Sequence, residues 1–180
     1  CIIAASKGAP LTGFLQDDNW LYRYGVKGRD INQVGRDLVR AGNEADFFGP
    51  AIAGLERPKY NLYQPFPDRE QFIEVSYQRN WKDLGPLQPI FQTADGIIVL
   101  HRDAEGIANN LVATHDIQTK VEYCSLDGYK DHDKVREFVG NSSCQLVLAS
   151  GGPNGKLMMV EMAKDTGKVV LDVGEGMVRS

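Results

Sequence analysis

Residues 144–176 read CQLVLASGGPNGKLMMVEMAKDTGKVVLDVGEG. An apolar run from Gln145 to Ala149 stops at Ser150-Gly151-Gly152-Pro153. A helical pattern then runs from Asn154 to about Thr166, Gly167 ends it, and a second apolar run reaches Asp172. Strand, glycine turn, helix and strand make the βαβ unit of a parallel sheet. Such sheets bind ligands beyond the carboxyl ends of their strands and beside helix N-termini, which is where this glycine turn falls.

Upstream the same alternation repeats. Gly96 to Leu100 reads as a fully apolar strand, Glu105 to Thr114 as a helix, Lys120 to Leu126 as a strand and Asp131 to Val139 as a helix. Continuous apolar strands alternating with short helices predict an α/β fold, Rossmann-like, with a mostly parallel sheet and helices on both faces. The expected organisation is a single domain over residues 1–180. Right-handed crossovers put every strand's carboxyl end on one edge. That edge should hold His101-Arg102, Asp127-Gly128, Ser150-Gly151-Gly152 and Asp172-Val173-Gly174.

The first half is less regular. An aromatic run from Trp20 to Tyr24 ends at Gly25, and Phe47 to Ala53 reads as another strand. Between them Ile31, Val34, Leu38 and Ala41 fall at helical spacing, with Asp30 as N-cap and Gly42 as the stop. Gly54 to Pro67 carries three prolines and two tyrosines and reads as a surface loop. Asp68 caps a helix from about Arg69 to Gln78, and Gly85 to Thr93 forms a shorter helix or turn.

Composition narrows the function classes. At 42% apolar and 24% charged the chain is ordinary globular protein. A net charge of -4 argues against a broad nucleic-acid footprint, while leaving a local basic groove open. No apolar run approaches the ~20 residues of a membrane helix, and no signal peptide is visible. Cys1, Cys124 and Cys144 show no metal spacing, so free thiols in a reducing cytoplasm are expected. Cys1 in first place raises the thought of an N-terminal nucleophile, but Ile2 to Ala5 looks like the start of ordinary structure.

The turn Ser150 to Lys156, SGGPNGK, superficially resembles a P-loop. Ser150 stands where that loop has its first glycine, Leu157 replaces the magnesium-binding hydroxyl, and Pro153 removes a backbone N–H. An NTPase is therefore set aside. Gly151 and Gly152 still permit close backbone approach, and a helix N-terminus can hold a phosphate. The competing reading is a tight βα turn that needs glycine for geometry alone. No GxGxxG fingerprint or GxSxG elbow is present.

His101, His115 and His132 do not share metal spacing. His115 and His132 lie near helix ends and are expected in solvated roles, whereas His101 directly follows a buried strand at the ligand edge. Among acids, Asp172 ends the last strand, where a carboxylate has few structural reasons to exist beyond capping. Asp127 is second, since Asp127-Gly128 also reads as a turn. The catalytic candidates are thus Asp172, His101 and Asp127.

The strand ending before Gly152-Pro153, the helix, and the strand ending Asp172-Val173-Gly174 together resemble the GT-D-type glycosyltransferase domain. The strand Ile97 to Leu100 with His101 fits the middle of that family's pattern. Arg23-Tyr24-Gly25 looks like the start of its Arg-(Phe/Tyr)-Gly-Asp-Gly-Glu segment. The resemblance covers about Leu21 to Gly176. It implies a Rossmann-like domain that binds a nucleoside-diphosphate sugar and transfers the sugar to a hydroxyl acceptor with a divalent metal, Mn²⁺ or Mg²⁺. The acceptor would be a glycan, a glycoprotein or a modified nucleic acid.

One departure matters: Val26-Lys27-Gly28 stands where the family has Asp-Gly-Glu. Three readings stay open. Lys27 or Arg29 neutralises the diphosphate directly, or Asp17, Asp18 or Asp30 supplies a metal ligand, or the domain binds without catalysing. On the enzyme reading, Gly151 and Gly152 hold phosphate or ribose, with Ser150, Pro153, Asn154 and Gly174 around them. Arg23, Lys27 and Arg102 compensate the departing diphosphate, with Tyr24 and Gly25 beside them. Asp172, Asp127 or His101 orients or deprotonates the acceptor. The alternatives are a non-catalytic nucleotide or small-ligand module, and a nucleic-acid base glycosyltransferase with Arg36, Arg40, Lys59 and Arg69 around its acceptor cleft.

Overall fold

The computed structural model describes residues 30–46, 87–174 and 177, and the chain divides into two compact units, Cys1–Ser76 and Tyr77–Ser180. Several expectations lie outside the described residues. They are Cys1, Asp17 and Asp18, the run at Trp20 with the site residues Arg23, Tyr24, Gly25 and Lys27, the strand at Phe47, the proline-rich loop and the helix after Asp68.

In the first unit, helix α1 spans Ile31–Glu44. Val34 and Ala41, two turns apart, are buried on it. The expected stop at Gly42 is corrected: the helix continues to Glu44, and Ala45 N–H still donates to the Ala41 carbonyl at 3.0 Å. A buried helical glycine costs about 1 kcal/mol relative to alanine, too little to end a helix unless the glycine turns left-handed. On the exposed face Arg36 bonds Gln33 and approaches Asp30 at 3.9 Å, while Arg40 lies 3.7 Å from Asp37.

The second unit carries the sheet. Helix α2 (Leu87–Thr93) leads into β1 (Ile97–His101), α3 (Ala104–His115) and β2 (Val121–Ser125). A 3-10 turn (Tyr129–Asp131) opens α4 (His132–Asn141), followed by β3 (Leu146–Ser150), α5 (Gly152–Thr166) and β4 (Val169–Asp172). All pairings are parallel, in the order β2-β1-β3-β4. As expected from the turn chemistry, Gly167 ends α5 in the left-handed region, φ 68°, with its N–H on the Ala163 carbonyl.

Strand alternation sorts the core into two layers. Ile97, Val99, Leu146 and Leu148 pack with Phe91 of α2 and with Ile107, Ala108 and Leu111 of α3. Ile98, Leu100, Val147 and Ala149 face Val135 and Val139 of α4 and Met158 and Met162 of α5. Both faces are therefore covered. The chain moves one way from β1 to β2 and back across β1 to reach β3. With crossovers of one hand, that reversal sends α3 and α4 to opposite faces.

At the amino edge, buried Lys168 donates from Nζ to the Ser142 and Cys144 carbonyls, each at 2.7 Å. Its ammonium thereby gains partners that replace water. Cys124 and Cys144 are buried free thiols.

Candidate functional site at the carboxyl edge of the sheet

Where strand order reverses, neighbouring loops leave in opposite directions and open a crevice beyond the strand ends. Here the reversal lies between β1 and β3, whose last paired residues are His101 and Ser150. The two candidates nearest the crevice are thus register partners. By alternation both side chains belong to the α3 face, since Ile97, Val99, Leu146 and Leu148 do.

The opposite side of the crevice is filled. Leu126, just past β2, is buried in the α4–α5 layer. A Cβ added to Gly151, just past β3, would lie 2.6 Å from Leu126 Cδ2 and 3.0 Å from the Gly155 nitrogen. Two loops on either side of β1 therefore touch over its end. A side chain at Gly151 would have to displace Leu126 and press on the Gly155 backbone, so the geometric reading of the turn accounts for this glycine. Gly152 has a different need, φ 57°, a backbone state that side chains disfavour. Pro153 stands in the first turn of α5, where its missing N–H costs no helical bond. Asn154 lies in the same turn.

Each nominated carboxylate has a cation against it. Arg102 Nε reaches Asp127 Oδ1 at 2.5 Å, bridging the loops after β1 and β2. Asp127 is held from behind, because the Asp131 carboxylate accepts from the Asp127 and Gly128 amides at 2.9 and 3.0 Å. Lys156 Nζ reaches Asp172 Oδ2, also at 2.5 Å. Asp172 pairs in register with Ala149, so it belongs to the α5 face, away from the face of His101. Few structural reasons beyond capping are expected for a carboxylate at Asp172; the structure adds one, since it ties β4 to α5 through Lys156. The two pairs differ in exposure. Arg102 and Asp127 side chains are 56% and 47% exposed, a setting in which ion pairs contribute about 0–1 kcal/mol. Asp172 is only 17% exposed, so its pairing is less screened by solvent.

His101 has its Nδ1 engaged by the Asp103 backbone N–H at 2.9 Å. Burial pushes its imidazole below the usual histidine range, against the opposing pull of the Asp103 carboxylate. Ser150 Oγ donates to the Gly174 carbonyl at 2.8 Å, and Val173 N–H donates to Ala149. Gly174 adopts φ 51° at that corner. The loops after β3 and β4 are thereby joined.

His115 departs from its expected solvated role: its ring packs edge-on to Phe91, centroids 5.3 Å apart, and Nε2 is buried without a hydrogen-bond partner. His132 is half-buried and its ring packs tilted against Tyr129, centroids 4.4 Å apart. Sequence reading passed over Leu126, Asp103 and Asp131, and considered Lys156 only as a broken P-loop lysine. An acid four residues after Asp127 was the available signal for a capped turn; nothing in one sequence announces the Leu126 contact.

Among the described residues no group of three or more His, Cys, Asp and Glu is placed to hold a divalent metal, and Asp127 and Asp172 each already face a cation. No helix among them is long and apolar enough to cross a membrane.

Residues 16–179 match the model of one protein family, described as the GT-D fold-like domain. No curated protein and no solved structure matches the chain.

Proposed function

Since the chain belongs to the GT-D fold-like domain family, a glycosyltransferase-related fold, we propose that it transfers a sugar from a nucleoside-diphosphate sugar to a hydroxyl acceptor. The observation that carries this reading is the Arg102–Asp127 pair beside the switch point. It holds a cation suited to a diphosphate and a carboxylate suited to a hydroxyl, joined by an exchangeable bond.

The donor's diphosphate would lie at the glycine turn and the start of α5, where N–H groups and the helix dipole favour negative charge. Arg102 turns from Asp127 to the phosphate oxygens, which frees the Asp127 carboxylate. The acceptor hydroxyl then attacks the anomeric carbon, and its proton passes to Asp127. The bond from that carbon to the diphosphate breaks, and its electron pair leaves with the phosphate. No step is assigned to a metal. Arg23 and Lys27, the other cations expected for a diphosphate, lie outside the described residues.

A second reading is a nucleotide-binding module without turnover, favoured by the cation already seated on each acid. A third, a nucleic-acid base glycosyltransferase, draws less support: Arg36 and Arg40 sit beside acidic neighbours on α1, while Lys59 and Arg69 lie outside the described residues.

A panel of nucleoside-diphosphate sugars, offered with glycan and hydroxylated-DNA acceptors, separates the three. The enzyme reading expects release of a diphosphate that falls about 100-fold in D127N and falls also in R102A. Tight nucleotide binding with no turnover, with or without Mn²⁺, would leave only the binding module.

A further inference from the structure

His101 ends β1 at the middle of the described sheet edge, half-buried, between Ser125 of β2 and Ser150 of β3. The Asp103 backbone N–H donates to its Nδ1 at 2.9 Å. A ring nitrogen that accepts a hydrogen bond carries no proton, so the neutral imidazole holds its proton on Nε2. Protonating Nδ1 as well would set two N–H groups face to face. Burial, the largest influence, and the neighbouring Arg102 also disfavour the cation, against the opposing pull of the Asp103 carboxylate and backbone.

This leaves His101 with one free function. Its single lone pair is taken, so it has none with which to accept a hydroxyl proton. Its Nε2–H remains as a donor. We propose that His101 serves this site as a neutral hydrogen-bond donor, presenting Nε2–H to a phosphate oxygen of the donor's diphosphate, and not as the base that deprotonates the acceptor. The inference rests on the sugar-nucleotide reading for its ligand, but the tautomer rests on the Asp103 contact alone. Phosphate oxygens only accept, so they match a group that only donates. A neutral donor gains strength as charge builds on the leaving diphosphate, and it does not compete with Arg102 for Asp127. The same backbone contact that removes His101 as a base fixes the ring for this role, since Asp103 opens α3 two residues later.

Long-range proton–nitrogen NMR of the unliganded full chain near pH 7 reads the tautomer directly. The expected spectrum shows a neutral ring protonated at Nε2. An imidazolium, or a ring protonated at Nδ1, overturns the proposal whatever the ligand. Calorimetric titration then compares the wild type with H101Q and H101N, using UDP, GDP, ADP, CDP and dTDP as probes. Glutamine can place an N–H near the level of Nε2, whereas asparagine places its amide near Nδ1. H101N should weaken diphosphate binding about 10-fold or more, and H101Q should restore most of that loss. H101N binding as tightly as wild type overturns the diphosphate contact, with H101Q as the check should H101N fail to fold. A wild type that binds none of the five diphosphates removes the sugar-nucleotide reading and the contact with it, while the spectrum still decides the tautomer.

Discussion

At the scale of single residues, the two glycines of the turn after β3 meet different demands. Gly152 is fixed by its backbone angle and Gly151 by the side chain of Leu126. The Gly151 contact is the more testable. One of the atoms a new Cβ would strike is the far end of a leucine, which can move, but the other is the Gly155 backbone nitrogen, which cannot do so without shifting α5. G151A should therefore destabilise the chain by about 1–3 kcal/mol, the usual cost of overpacking. Combining it with L126A should recover less than the full loss, because the backbone contact remains. Urea unfolding of the two variants measures both effects. A G151A chain of unchanged stability that lost nucleotide binding would instead assign this glycine to the ligand.

At the scale of elements, the described strands and α-helices of the second unit are those expected from apolar runs and glycine stops, shifted by up to two residues at their ends, and the 3-10 turn before α4 is an addition. Periodicity reports burial, and burial is what these elements share. It is silent on pairs such as Lys156–Asp172, which join residues far apart in sequence. Hence His101, Arg102, Asp127 and Ser150 were legible at one edge, while the cation on each acid was not. Asp172 stands out in the sequence because its strand-end position is visible there, but the face it occupies depends on register with Ala149. The amino edge offers another such tie. Glu122 of β2 accepts hydrogen bonds from Lys120 and from Ser142 after α4, and these hold its carboxyl below the ordinary carboxylate range. Folding thus favours ionised Glu122. Its contribution is complete above the unfolded value of about 4.5 and is lost as pH falls through the lower folded one. E122Q should lower stability near neutrality and flatten the acid limb of a stability–pH curve. An unchanged acid limb would remove Glu122 from that account.

At the scale of the whole molecule, the described sheet has an inner pair and an outer pair. The four apolar residues of β1 are fully buried, and β3 is nearly so, whereas Tyr123 of β2 and Val169 of β4 are 44% and 59% exposed. Amide hydrogen exchange should accordingly be slowest in β1 and β3 and faster in β2 and β4. Equal protection across all four strands would show that the outer strands open only with the whole unit. The contact between Leu126 and the Gly151 turn gives this arrangement a further property. Leu126 adjoins Asp127, so whatever draws Arg102 away from Asp127 also acts on the chain that carries Leu126. Leu126 in turn lies against Gly151, the residue before α5. Pressure on one loop is transmitted to the other across β1, without passing through the strands. The loops after β2 and β3 thus meet over the end of β1, and on the proposed function a ligand at one would act on the other through Leu126.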